Sequence, residues 1–162
     1  MAIQGSVRLD KLQGLKTGGG LISFKAPVDF QNGQVFNAED LVSGERELFT
    51  ATQPATASLA TKPVYINISV ETVYQAGQTV LDYFTPSGTP GRGIRPAKGD
   101  LITISDNVIT GSTVVGQYVG PVNASYQLSA SASAPTSLFV GKVIEKTTIY
   151  GQAASVIEVL AN

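Results

Sequence analysis

Residues 81–105 read LDYFTPSGTPGRGIRPAKGDLITIS, and this stretch decides the fold class. Val80, Leu81, Tyr83 and Phe84 on one side, and Leu101, Ile102 and Ile104 on the other, have the branched and aromatic content of strands. Between them lie three prolines and four glycines, which fix or free φ as turns demand and do not suit a helix. The reading is two strands joined by a long, stiff surface loop that carries Arg92, Arg95 and Lys98.

The run VYINISVETV places Val64, Ile66, Ile68 and Val70 on one face and Tyr65, Asn67, Ser69 and Glu71 on the other. That is the period of a half-buried strand. Further strands are expected at Glu45–Thr52, Val114–Val119, Leu138–Ile149 and Ser155–Leu160, the last two joined at Tyr150-Gly151-Gln152. Asn32-Gly33 tolerates the positive φ of a type I′ turn and predicts a hairpin between VDF and QVF. Gly116 suggests a bulge or a close backbone approach, and QPATASLATK and SASASAPTS read as loops. About eight or nine short strands at hairpin spacing indicate an all-β fold, an antiparallel barrel or sandwich. Leu9, Leu12 and Leu15 recur every three residues, but Gly14 and the triplet Gly18, Gly19 and Gly20 stop a helix. Residues 1–26 are therefore expected to be an extended N-terminal arm, with the β domain spanning 27–162.

A chain of 162 residues has room for one domain. Charged residues make up only 14%, against about 25% in ordinary soluble proteins. Either the surface is rich in Ser and Thr, or neighbouring subunits cover much of it. The net charge of −1, from 11 basic and 12 acidic residues without a dense Lys/Arg cluster, argues against a grip on nucleic acid. With no cysteine there is no disulfide framework and no thiolate metal site. No apolar run approaches the ~20 residues that span a bilayer, and MAIQGSVRLDKLQG lacks the apolar core of a signal peptide. The expectation is a product made in a cytoplasm and not bound to a membrane.

The absence of histidine removes the commonest general base and metal ligand, and with it Ser-His-Asp and Cys-His sites. A Ser-Lys pair remains, but no nucleophile-elbow pattern frames any serine. LKTGGG has its Lys-Thr before the glycines, the reverse of a phosphate-binding loop. Asp100, Asp106 and Asn107 offer oxygens for a hard cation, although capping of turns is the stronger reading. No catalytic residue, metal or cofactor is expected, and the chain does not read as an enzyme. Candidate partner contacts are Arg92, Arg95 and Lys98, able to hold carboxylates, and in the arm Arg8, Lys11, Leu12, Leu15 and Lys16.

The order of several short motifs resembles small capsid decoration, or cement, proteins of tailed bacteriophages. These are Asn32-Gly33, Gly44 to Glu47 (GERE), Leu81 to Phe84 (LDYF), the approach from Arg92 or Arg95 to Gly99-Asp100, Gly141 to Ile144 (GKVI) and Ile157 to Leu160 (IEVL). The resemblance covers most of residues 27–162. It implies a virion structural protein on the outer capsid shell, with the major capsid protein as partner, commonly as a homotrimer that braces capsomers. A tail or connector component is the alternative within a virion, and a carbohydrate-binding β-sandwich the alternative outside one.

Overall fold

The computed structural model of the chain describes residues 4–11, 20–73 and 76–162. Twelve strands are found among them: β1 (Val7–Lys11), β2 (Leu21–Lys25), β3 (Val35–Leu41), β4 (Leu48–Thr52), β5 (Tyr65–Asn67), β6 (Pro90–Ile94), β7 (Leu101–Ser105), β8 (Ile109–Thr110), β9 (Tyr118–Pro121), β10 (Leu128–Ser131), β11 (Val140–Ile149) and β12 (Gln152–Ala161). The only helical pieces among the described residues are short turns, so the fold is all-β. Five strands close into a barrel in the order β2-β4-β3-β5-β6, and the other seven form a sheet ordered β1-β7-β12-β11-β9-β10-β8.

Alternation along the barrel strands assigns each side chain to one of two cores. On β3, Phe36 points into the barrel and Val35 away from it. The interior is aromatic: Phe24, Phe30 and Phe36 are fully buried with ring centroids 4.4 to 5.8 Å apart, and Tyr126 meets Phe30 edge-on at 4.8 Å. On the outward side of β3, β5 and β6, Val35, Ile66 and Ile94 pack against Ile102, Ile104, Ile157 and Val159 of the large sheet. Each fully buried side chain of this size contributes about 1.5–3 kcal/mol.

The decisive stretch differs from its reading in two places. Val80–Asp82 is a 3-10 turn rather than the end of a strand. The Asp82 carboxylate accepts from Thr79 N–H at 2.8 Å and Thr79 Oγ1 from Leu81 N–H at 3.3 Å, a local cap that outweighs the strand-like composition. Inside the expected loop, PGRGI is the barrel strand β6. Its glycines are required by packing, because a Cβ on Gly91 would lie 2.6 Å from the Phe24 ring and one on Gly93 2.6 Å from Phe36.

Other expectations are also corrected. The run from Val64 to Val70 pairs as a strand only at Tyr65–Asn67. Asn67 Oδ1 accepts both the Ser69 N–H (3.1 Å) and its hydroxyl (2.7 Å), a local turn that ends the regular ladder while residues 68–69 stay against β6, and Val70 beyond it is 71% exposed. Asn32-Gly33 does form a turn, with Gly33 at φ 86°, but no hairpin. Phe30 pairs with Thr85 while Val35 pairs with Ile66, so the flanking segments part. Of Val114–Val119 only the end from Tyr118 is strand. Gly116 serves by its φ of 94° in a turn with open space around it. One helical turn, Thr56–Leu59, interrupts QPATASLATK. SASASAPTS begins within β10, and its Pro135 lies over Gly120, where a Cβ would be 2.6 Å away.

The boundary expected at Pro27 is overturned as well. β1 pairs antiparallel with β7, Val7 opposite Ile104 and Leu9 opposite Ile102, and β2 closes the barrel against β6 and β4. Phe24 and Ala26 are core residues, so residues 20–26 belong to the β domain rather than to an arm. The expected final hairpin is present: β11 and β12 pair along their whole length, and Tyr150 (φ 50°) and Gly151 (φ 79°) make the two-residue turn with the positive φ values of type I′.

Candidate interaction surface

The three cations expected on one loop, Arg92, Arg95 and Lys98, fall on a strand, just after it and in the turn that follows. Arg92 lies on β6 between two glycines that face the barrel interior, so alternation turns it outward, and it is exposed. Arg95 follows the strand and donates to the Asn162 backbone carbonyl at 3.3 Å. Lys98 occupies a turn with Gly99 (φ 88°) that Asp100 closes by accepting the Ala97 N–H at 2.7 Å. Arg8 and Lys11 sit on β1 opposite Thr103 and Leu101. Leu12, Leu15 and Lys16 lie outside the described residues.

Three grooves mark the outer surface around β6. The first, about 380 Å³, lies over β2, with Leu21 and Ser23 in its floor, Arg46 and Glu47 on the β4 side and Arg92 on the β6 side. A second of about 370 Å³ lies beyond Arg92, bounded by Ser69, Val70, Tyr83 and Pro90. The third, about 490 Å³, is lined by Val70, Tyr83, Phe84 and Pro86 among others. Ser23 is paired on one side with Arg92 and on the other with Leu48, which fixes how the walls of the first groove face each other. Among the described residues no carboxylate pairs with Arg46 or Arg92. Arg46, Val70 and Tyr83 are not among the contacts expected from sequence. The signal available was the Gly-Arg-Gly alternation, which in a strand sends the arginine to one face and leaves the other bare.

The Ser-Lys pair also has a structural counterpart. Lys146 Nζ donates to Asp106, to Thr113 Oγ1 (2.7 Å) and to Ser155 Oγ (2.8 Å), while Ser155 Oγ donates to Asp106 Oδ1 (2.7 Å). Partial burial pushes the Asp106 carboxyl up, but hydrogen bonds from Lys146, Ser155 and Thr113 and the Lys146 charge outweigh it and hold it below the usual carboxylate range. The Asp106 carboxylate accepts the Ser155 hydroxyl hydrogen, and Lys146 Nζ donates to Ser155 Oγ rather than accepting from it. This is the reverse of what serine activation by a neutral amine requires. The cluster ties the turn at Asp106–Val108 to the β11–β12 hairpin. Asp106 is thus committed to Lys146 and Asp100 to its turn, and no group of acidic residues with metal-ligating geometry occurs among the described residues. Nor is any helix among them long and apolar enough to cross a membrane.

Comparison with protein-family models, curated proteins and solved structures finds no match for this chain.

Proposed function

We propose that the chain is a structural protein of a tailed-bacteriophage virion, a capsid decoration protein that binds the outer shell and braces capsomers. The observation that carries this reading is apolar surface on a domain with few charges. Val70 is 71% exposed, and Val114 and Val115, at the tip of one rigid turn, are 52% and 55% exposed. A free monomer gains nothing from branched side chains in water, whereas an assembly covers them. That turn is held by Gly116 N–H to Val143 O and Val143 N–H to Gln117 O, both 2.8 Å, so the valines are presented with little ordering entropy left to lose. The motif order of residues 27–162 supports the same reading.

The test is to mix the purified protein with undecorated capsids and, separately, with tails, and to image the pelleted particles. Regular density on the capsid surface is expected. Density on tails alone overturns the capsid assignment in favour of a tail component. Val114→Asp with Val115→Asp is expected to cut occupancy at least tenfold while the melting temperature holds.

A further inference from the structure

The three grooves around β6 are one trench. Ser23 and Arg92 line both the first and the second, and Val70 and Tyr83 line both the second and the third. The trench crosses β4, β2 and β6 in turn and passes to residues 68–70, which the Ile68 N–H to Arg92 O bond (2.8 Å) holds against β6. Three inter-strand steps of about 4.8 Å make a crossing of roughly 14 Å. An extended polypeptide advancing about 3.3 Å per residue spans it with four or five residues.

Chemistry along the trench changes from one end to the other. Arg46 stands at the β4 end and Arg92 across β2 from it, on β6; both guanidinium groups are exposed and have no carboxylate partner among the described residues. Toward the far end the walls become apolar and aromatic, with Val70, Tyr83, Phe84 and Pro86. A guanidinium pair set across a groove recognises carboxylates in a planar, two-pronged way. Glu47 beside Arg46 and the overall charge of −1 disfavour a polyanion such as nucleic acid. We infer that the trench binds an extended segment of a partner protein in which one or two acidic side chains precede apolar ones, the carboxylate held between Arg46 and Arg92 and the apolar side chains over Val70 and Tyr83. The barrel is closed, so the segment gains no strand edge and is held by side chains, which makes the two arginines decisive for affinity. The inference goes beyond the virion reading and stands without it.

A displayed library of random octapeptides, selected against the full-length wild-type protein and against an Arg46→Gln, Arg92→Gln variant, tests it in solution. Wild type is expected to enrich peptides with Asp or Glu followed by apolar residues. The best of these should shift amide resonances of residues 21–23, 46–49, 70, 83 and 92, and should lose at least tenfold in affinity for the variant. Both arginines are exposed, so the variant should melt with wild type; if it does not, Arg92→Lys, which keeps the charge but not the fork, replaces it and should still weaken binding. Enriched peptides without acidic residues, binding indifferent to the arginines, or inorganic phosphate producing the same shifts at equal strength would each overturn the proposal.

Discussion

The barrel packs phenyl rings onto bare glycine backbone, whereas the large sheet packs mostly branched aliphatic side chains against one another, and the two cores have different tolerances. In the barrel, Gly91 and Gly93 leave no space at all between β6 and the rings of Phe24 and Phe36. In the sheet, Ile102, Ile104, Val143 and Ile157 belong to a mostly aliphatic core, with close backbone approach confined to places such as Gly141, where a Cβ would lie 2.5 Å from Ile157. Fit of rings on backbone dominates the first core, and aliphatic volume most of the second.

The largest effect that would break this contrast concerns the chain's first residues. Deleting residues 1–26 removes β2, leaves β6 and β4 without their shared partner, and is expected to abolish cooperative unfolding by near-ultraviolet circular dichroism. Deleting residues 1–11 removes the edge strand β1 and the buried Ser6 with its bonds to Ser105, and should leave a cooperative transition at lower temperature. Equal behaviour of the two truncations would show that the barrel does not depend on closure. Next in size, Gly93→Ala is expected to cost about 1–3 kcal/mol by overpacking against Phe36, measured by urea unfolding, and Phe36→Leu in the same chain should restore part of it. In the aliphatic core Ile104→Val should cost only about 0.5–1.5 kcal/mol, with no second-site rescue required. If the isoleucine change proved the costlier of the two, the assignment of fit to the barrel and volume to the sheet would be reversed.

Smallest is the polar clamp at Asp106. Its carboxyl is held low in the folded chain, so its contribution is present above the unfolded carboxylate value of about 3.9 and is lost as pH falls through the lower folded-state value. Both partners of the ion pair are partly exposed, so Asp106→Asn should cost about 1 kcal/mol or less near neutral pH. The variant should also lose less stability than wild type on acidification below about pH 4. Parallel acid limbs for the two proteins would remove Asp106 from the account.

The same contrast explains what was legible in the sequence. The β11–β12 hairpin could be read because everything that specifies it is local: two apolar runs and a Gly-containing turn of two residues. The all-β class followed from punctuation by glycine and proline. β6 was hidden because the reason for its glycines lies at Phe24 and Phe36, dozens of residues away, and a strand that yields its interior to rings from elsewhere looks like a loop. β2 was hidden for a related cause, since Gly18 to Gly20 suggest a break and the two partners that hold β2 in the barrel come later in the chain. Val64 to Val70 shows the opposite failure, where clean alternation continues past the point at which the Asn67 side chain, bonded to Ser69, ends the regular ladder. Of the surface, Arg92 could be named but not its neighbours, because Arg46 and Tyr83 reach the same trench only through the strand order.

β7 lies between β1, which holds residues 7–11, and β12, which holds residues 152–161. As the chain leaves the ribosome, the barrel has all five of its strands once Ile94 has emerged, although Tyr126, which packs on Phe30, is still to come. The large sheet has to wait, for its central partner is synthesised some fifty residues after β7 itself, as the separation of Ser105 from Gln152 shows. During that interval the face of Val35, Ile66 and Ile94 that the sheet will cover stands open to water. The order of synthesis thus makes the barrel strands available first, and the β7–β12 pairing that covers this face becomes possible only when the last strand has been made.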